Sequence, residues 1–281
     1  MKKDFDHIAK DYDTDFTYSE IGKCQRNSVY RYLKKLPKQL NILELNCGTG
    51  EDAIWFAKQN NQVLATDISS EMIRVAEQKG RNIKNLEFSQ LDINKINLCK
   101  SVQSVSKKID IIFSNFGGLN CLNKKELKNF FKTASELSTK DGKLILVIMP
   151  KNTLWERLYF ILKLDFKKAF RRNTNKSLEV NVDNNPEVSG VQTWYYNPKD
   201  IKKMARPYFK VTITKPIGFF IPPSYLENYF KKHKRFLNIL DQLEKKIGKF
   251  GFLSRFSDHY LIELTLNRKE RKEKTQSTQG K

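Results

Sequence analysis

The sequence predicts an α/β fold, a mainly parallel sheet with helices on both faces. Three observations carry this. An apolar strand, Ile42-Leu43-Glu44-Leu45, runs into Asn46-Cys47-Gly48-Thr49-Gly50, and a helix-like segment follows at once over 51–59. Glycines at such a turn let the backbone approach a nucleotide-like ligand. A second strand, Val63-Leu64-Ala65-Thr66, ends in Asp67, 17 residues after Gly50, a spacing that suits a carboxylate receiving ribose hydroxyls. Strand-like and helix-like segments then keep alternating up to Met149.

Taken in order, residues 1–40 read as helical and partly amphipathic, ending near Pro37. The first strand is 41–45 and its helix 51–60. The second strand is 62–66. A helix over 70–79 has Ser69 or Ser70 as its cap and Gly80 as its stop. The third strand is 86–89, ending at Leu91-Asp92, and 93–108 stays ambiguous. The fourth strand is 109–114, followed by a helix over 124–138. Asp141-Gly142 turns into a fifth strand over 143–149. After Pro150 the pattern changes. Residues 151–172 form a basic, aromatic helix-like stretch, and 173–192 are polar, with Asn184-Asn185-Pro186 as a loop. Asn197-Pro198 opens a helix to about 205. The sixth strand is 209–214, a basic amphipathic helix covers 224–249, and the seventh strand is 259–266. The tail from Asn267 is basic and reads as disordered.

At the Gly-x-Gly turn the sequence resembles the class I S-adenosylmethionine-dependent methyltransferases, whose first motif reads roughly hydrophobic-Leu-(Glu/Asp)-x-Gly-x-Gly-x-Gly. Asn46 stands for the first glycine, and Asn tolerates turn geometry better than most residues. A dehydrogenase-type fingerprint would need a third glycine where Ala53 stands. The resemblance covers about 40–150 well, and 193–266 as architecture. It implies a Rossmann-like seven-stranded sheet whose strand 7 runs antiparallel between the fifth and sixth. It also implies an N-terminal helical cap over 1–40, a domain over 41–266 with cap insertions at about 151–192 and 224–250, and a tail over 267–281.

The resemblance further implies S-adenosylmethionine as cofactor and S-adenosylhomocysteine as product. The turn through Asn46, Cys47, Gly48 and Gly50 would lie against the methionine and ribose portions. Asp67 would accept both ribose hydroxyls, a charge-assisted pair. Ile68 and Met72 would pack on the adenine, with Met72 equally fit for the core. Asp92, with Ile93 beside it, would contact the adenine amino group or simply hold a turn. Asn115 and Phe116 would line the methyl-transfer end, with Gly117 next to the acceptor. Glu44 would orient the loop or reach the ammonium group through water. Tyr12 and Tyr18 are candidates to close over the site, Tyr18 on the acceptor side. Gln25 and Arg26 are read either as polar contacts there or as surface residues. His259, at the start of the antiparallel strand, would face the same edge and assist deprotonation or orient the acceptor. The other reading is a histidine that holds the strand end.

The four cysteines (Cys24, Cys47, Cys99, Cys121) are scattered with no metal-type pairing, which suits free thiols in a reducing cytoplasm and no metal. No apolar run approaches the roughly 18 residues of a membrane span. The charged N-terminus lacks a signal core, so a cytoplasmic location is expected. The net charge is +21, with 52 Lys and Arg against 31 acids. It reflects either lysine-rich composition or attraction to something anionic. Residues 151–172 hold seven basic residues against two acids, and 231–249 another seven against two.

The added segments all leave from the carboxyl edge of the sheet, so they would cap the crevice with Trp155, Tyr159 and Tyr225 among the lining. A large aromatic cap suits a small, lipophilic acceptor. Its basic helices suit peripheral contact with an anionic membrane at its inner surface. The alternatives are an RNA or protein methyltransferase using the basic surface, or a non-catalytic cofactor-binding module.

Overall fold

The computed structural model describes residues 5–98, 108–181 and 190–267. Cys99, the Asn184-Asn185-Pro186 loop and the tail from 268 lie outside the described residues. The chain starts with a π-helical turn, Asp13–Thr17, and helix α1, Glu20–Leu33. Then come β1 (Asn41–Leu45), α2 (Glu51–Lys58), β2 (Gln62–Asp67), α3 (Ser70–Gly80) and β3 (Leu86–Gln90). A 3₁₀ turn, Ile93–Leu98, leads toward β4 (Ile109–Ser114), α4 (Lys124–Leu137) and β5 (Ser138–Ile148). The second half holds α5 (Leu154–Leu162), α6 (Phe166–Ala169), β6 (Leu178–Val180), β7 (Val191–Thr193) and α7 (Pro198–Ala205). It ends with β8 (Phe209–Ile217), α8 (Glu227–Lys232), α9 (Lys234–Ile247) and β9 (His259–Leu266).

Seven strands form one sheet in the order β3-β2-β1-β4-β5-β9-β8. β9 runs opposite to the other six strands, pairing Ile148 with Tyr260 on one side and Ile217 with His259 on the other. The expected α/β sheet is therefore present, its last strand inserted between the fifth and sixth. Alternate residues of each strand point to opposite faces. Leu43, Ile112, Leu144 and Leu146 meet α4 and α7. Ile42, Val63, Ile111 and Ile145 meet α1, α2 and α3. Helix starts are fixed locally. Ser19 accepts the Gly22 N–H, Ser69 that of Met72, and Asn123 and Glu126 form a reciprocal capping box.

Several boundaries depart from the sequence reading. β5 begins at Ser138, because Ile109 pairs with Ser138 while Ile111 pairs with Lys143. The expected Asp141-Gly142 turn is an excursion inside the strand. The basic stretch 151–172 is two helices, broken where Leu164 takes a left-handed φ of +56°. The stretch 224–249 also divides, at His233 (φ −117°, ψ 48°), leaving α8 and α9. The polar stretch 173–192 contains the antiparallel ribbon β6-β7, which its composition did not signal.

The cap has its own small core: Ile21 of α1, Ile221, and Phe230, Leu237 and Leu240 of α8 and α9. Glu244 anchors it. This buried carboxylate accepts the backbone N–H groups of Gly218, Phe219, Phe220 and Ile221 at 2.7–3.4 Å. Burial pushes its pKa up, against the pull of those donors. Glu244→Ala leaves four donors without partners, those of Gly218 and Ile221 buried and those of Phe219 and Phe220 part-buried, so we expect it to lower stability by about 2–4 kcal/mol, read as a shift in urea midpoint.

Candidate functional site

The carboxyl ends of β1, β2 and β4 lie side by side, and in such sheets the crevice beyond these ends is where ligands bind. After β1 the backbone turns through left-handed φ values at Asn46 (+56°), Gly48 (+54°) and Gly50 (+78°). Gly50 must be glycine twice over: its φ is strained for other residues, and a Cβ would stand 2.9 Å from Ala76 and the Phe88 ring. The Asn46 side chain fills the space over Gly118, where a Cβ would lie 2.4 Å away, and accepts the Ser114 hydroxyl at 3.3 Å. Cys47 is buried, its N–H bound to the Thr66 carbonyl.

Asp67 ends β2. Its carboxylate accepts the Gly48 N–H and the Ser69 N–H, both at 2.9 Å. It is 9% exposed, and burial raises its pKa against these donors. Leu91 donates to the Asp67 carbonyl, which sets the next strand end, Asp92 and Ile93, alongside. Asp92 accepts the Asn94 N–H on Oδ1 at 3.0 Å, which holds its turn. Ile93 is buried, Ile68 half-buried, and Met72 lies fully in the core.

The floor of the crevice is charged. Glu44, at the end of β1, is 1% exposed, and its Oε2 has no hydrogen-bond partner among the described residues. Burial, then the nearby Asp52 charge, raises its pKa well above the usual carboxylate range, with Arg26 opposing. Arg26 of α1 is held by Asp52, with Nε 3.7 Å from Oδ1, and covers the Phe116 ring at 5.3 Å. Its Nη1 is likewise buried without a hydrogen-bond partner among the described residues. Asp52 also accepts the Tyr30 hydroxyl at 2.7 Å and the Asn115 amide at 2.8 Å. The structure thus decides between the two readings of Arg26: it is a crevice residue. Gln25 and Ser28 fall within the buried stripe of Ile21, Val29 and Tyr32, whereas Arg26 lies outside that stripe and carries no signal of its own in the helix pattern.

The N-terminal segment lies across this crevice. Tyr12 sits over Gly48, 4.0 Å from where a Cβ would stand, and burial raises its pKa. Asp13 accepts the Thr49 hydroxyl and the Lys79 ammonium, both at 2.6 Å. Asp6 meets the Ser69 hydroxyl. Sequence reasoning singled out none of Asp6, Asp13, Thr49, Lys79 or Asp52, because surface-type polar residues at helix ends carry no distinguishing pattern. Tyr18 is exposed and donates to Glu51 at 3.3 Å, away from the aromatic group of the cap.

On the other side of Phe116 stands His259, ring to ring at 5.5 Å in a T-shaped arrangement. Its Nδ1 lies 3.2 Å from the Asp258 carboxylate. Burial would raise the Asp258 pKa, but His259, Arg172 and Gln25 reverse this and hold it well below the usual carboxylate range. Gln25 donates to Asp258 at 3.3 Å and to the Pro222 carbonyl at 3.1 Å. Arg172 also pairs with buried Glu156 at 2.7 Å, which Arg171 shares at 2.6 Å. Gly117 is buried, its N–H bound to the Val147 carbonyl and its Cα against Met149, so it shapes the wall rather than offering a side chain. Trp155 donates to the Phe220 carbonyl at 3.1 Å, and the Tyr159 and Tyr225 rings meet at 5.3 Å. Tyr159 and Tyr225 thus form one aromatic pair of the cap, while Trp155 packs edge-on against Phe230.

A methyltransferase-domain family model matches residues 42–142. Among curated relatives, malonyl-[acyl-carrier protein] O-methyltransferase 1 of Ilyobacter polytropus is 32% identical over 41% of this chain and 40% of its own length. Methyltransferase 2 of that name and organism is 30% identical over 62% of each. The chain therefore spans about two to three fifths of the length of these relatives. The solved magnesium protoporphyrin IX methyltransferase of Synechocystis PCC 6803, with bound SAH, superposes with a TM-score of 0.52 at 17% identity. That superposition covers 90% of this chain and 86% of the other, a likeness of fold.

Proposed function

We propose, from a chain whose residues 42–142 match a methyltransferase-domain family model, that it transfers a methyl group from S-adenosylmethionine to a small lipophilic acceptor at oxygen or carbon. The observation that carries this is the pair of unpartnered buried atoms on the crevice floor, Glu44 Oε2 and Arg26 Nη1. A buried polar atom without a partner is costly. One anionic acceptor beside one cationic donor suits an α-ammonium and an α-carboxylate, the two ends of a methionine moiety. Asp67 suits the ribose hydroxyls, and Gly48 leaves room for the backbone to approach the ligand.

S-adenosylmethionine supplies an electrophilic methyl and a neutral thioether leaving group, so the protein mainly positions the acceptor. Phe116 and the cap aromatics Trp155, Tyr159 and Tyr225 would exclude water around it. The Asp258 carboxylate, 3.2 Å from His259 Nδ1, would stabilise positive charge on the ring as Nε2 takes the acceptor proton while the oxygen or carbon attacks. We expect His259→Ala to lower kcat about 10²–10⁴-fold, the range of general base catalysis, with cofactor affinity unchanged by calorimetry. Unaltered turnover would remove His259 from the mechanism.

A second reading, an RNA or protein acceptor, draws on a basic concavity of about 450 Å³ between α1 and α9, lined by Arg31, Lys35, Lys215, Lys245, Lys246 and Lys249. The test is incubation of the purified chain with methyl-labelled S-adenosylmethionine and a native lysate, then partition into organic, RNA and protein fractions. Label in the organic fraction is expected. Label in RNA or protein would move the acceptor to the basic surface.

A further inference from the structure

The outer edge of the cap exposes apolar side chains that no described residue covers. Leu162 is 84% exposed, Leu164 78%, Phe166 58% and Leu158 57%. Helix α5 itself is well anchored. Its inner side holds Trp155 against Phe220 and Glu156 between Arg171 and Arg172. The apolar edge is therefore the outward side of a fixed element. Leu158 and Leu162 stand one helical turn apart on it. The left-handed backbone at Leu164 then turns the chain, so that Leu164 and Phe166 extend the same run.

Cations surround this edge. Arg157, Lys163, Lys167, Lys168 and Arg171 all lie between 157 and 171. The acids there are Asp165, which pairs with Lys168 at 3.3 Å, and at the inner boundary buried Glu156. Lys163 and Arg157 fold back over the Tyr159 and Phe170 rings, at 4.5 and 5.0 Å. Apolar side chains this exposed mark a contact surface. Apolar protrusions ringed by cations match an interface that is oily at depth and anionic above.

We infer that residues 158–171 dock on an anionic lipid bilayer. Leu158, Leu162, Leu164 and Phe166 enter the headgroup boundary, and the lysines and arginines meet lipid phosphates. The docked edge sets the Tyr159–Tyr225 pair beside the bilayer, a route by which a lipophilic acceptor reaches the cap without crossing water. Only this last consequence rests on the proposed acceptor class; the docking stands on the surface alone.

The test is co-sedimentation of the full chain with phosphatidylcholine vesicles, with and without phosphatidylglycerol. Binding is expected only with phosphatidylglycerol. The double substitution Leu162→Asp/Leu164→Asp should reduce it at least about tenfold, since two buried leucines contribute a few kcal/mol. That variant should still bind S-adenosylhomocysteine as the unaltered chain does, because both side chains face outward. Lys128→Ala/Lys132→Ala on α4 makes the same change in net charge elsewhere and should leave vesicle binding within about twofold. Equal loss in both variants would reduce the binding to net charge and overturn the docking edge. So would full binding by the leucine variant, or a concentration-dependent dimer of the chain that the leucine substitutions abolish. Organic-phase label from lysate without vesicle binding would overturn the docking and leave the acceptor class standing. Vesicle binding with label only in RNA or protein would do the reverse.

Discussion

Asp67→Ala is expected to weaken S-adenosylmethionine binding by about 10²–10⁴-fold, because it removes a carboxylate positioned for two charge-assisted hydrogen bonds of roughly 1.5–3 kcal/mol each. The effect has a second source. Asp67 already holds the Gly48 and Ser69 N–H groups at 2.9 Å, so its loss also loosens the loop that a ligand would lie against. Asp67→Asn separates the two. It keeps an acceptor for one of these donors and turns an NH2 toward the other, so its loop should loosen less than in Asp67→Ala while affinity falls through the lost charge. Calorimetric titration measures affinity, and amide exchange at Gly48 and Ser69 measures the loop. Equal affinity in wild type and Asp67→Ala would mean that the crevice does not receive a ribose.

Glu44→Gln is expected to weaken binding by about 10–100-fold, the worth of one charge-assisted contact, and to change its pH dependence. Burial and Asp52 raise the Glu44 pKa above the usual carboxylate range. A ligand ammonium favours the ionised form, so wild-type binding should release a proton where Glu44 is still protonated. Affinity should then rise with pH through that range. Titration in two buffers of different ionisation enthalpy detects the proton, and Glu44→Gln should release correspondingly less. The sign for stability runs the other way. A carboxyl whose folded pKa lies above its unfolded one holds its proton longer in the native state. The ligand-free protein should therefore lose stability as pH rises from the ordinary carboxylate range through the raised pKa. The Glu44→Gln variant should show a flatter profile. Identical pH profiles in both proteins would mean that Glu44 is not the titrating group.

The sheet was legible because its signals are local. An apolar run, a Gly turn and a terminal acid can each be read within ten residues, and β1, β4 and β9 begin and end where the pattern placed them. The core alternation of Leu43 with Ile42, and of Leu144 with Ile145, also follows from the strand period. What was not legible depends on distant partners. Arg26 looks like any helix arginine until Asp52 and Phe116 are folded against it. Asp13 and Lys79 are ordinary polar residues in sequence and an ion pair over the Gly loop in space. Helix ends inside the cap were lost for another reason. Leu164 and His233 break helices through backbone geometry that neither residue type announces. The β6-β7 ribbon has only three residues per strand, too short for alternation to show.

The most direct measurement is a crystal structure of the chain with S-adenosylhomocysteine. The ligand carboxylate should lie on Arg26 Nη1, its ammonium on Glu44 Oε2 and its ribose hydroxyls on Asp67, with the sulfur facing Phe116 and His259. A ligand bound elsewhere, or one in this crevice with Glu44 and Arg26 still unpartnered, would contradict it.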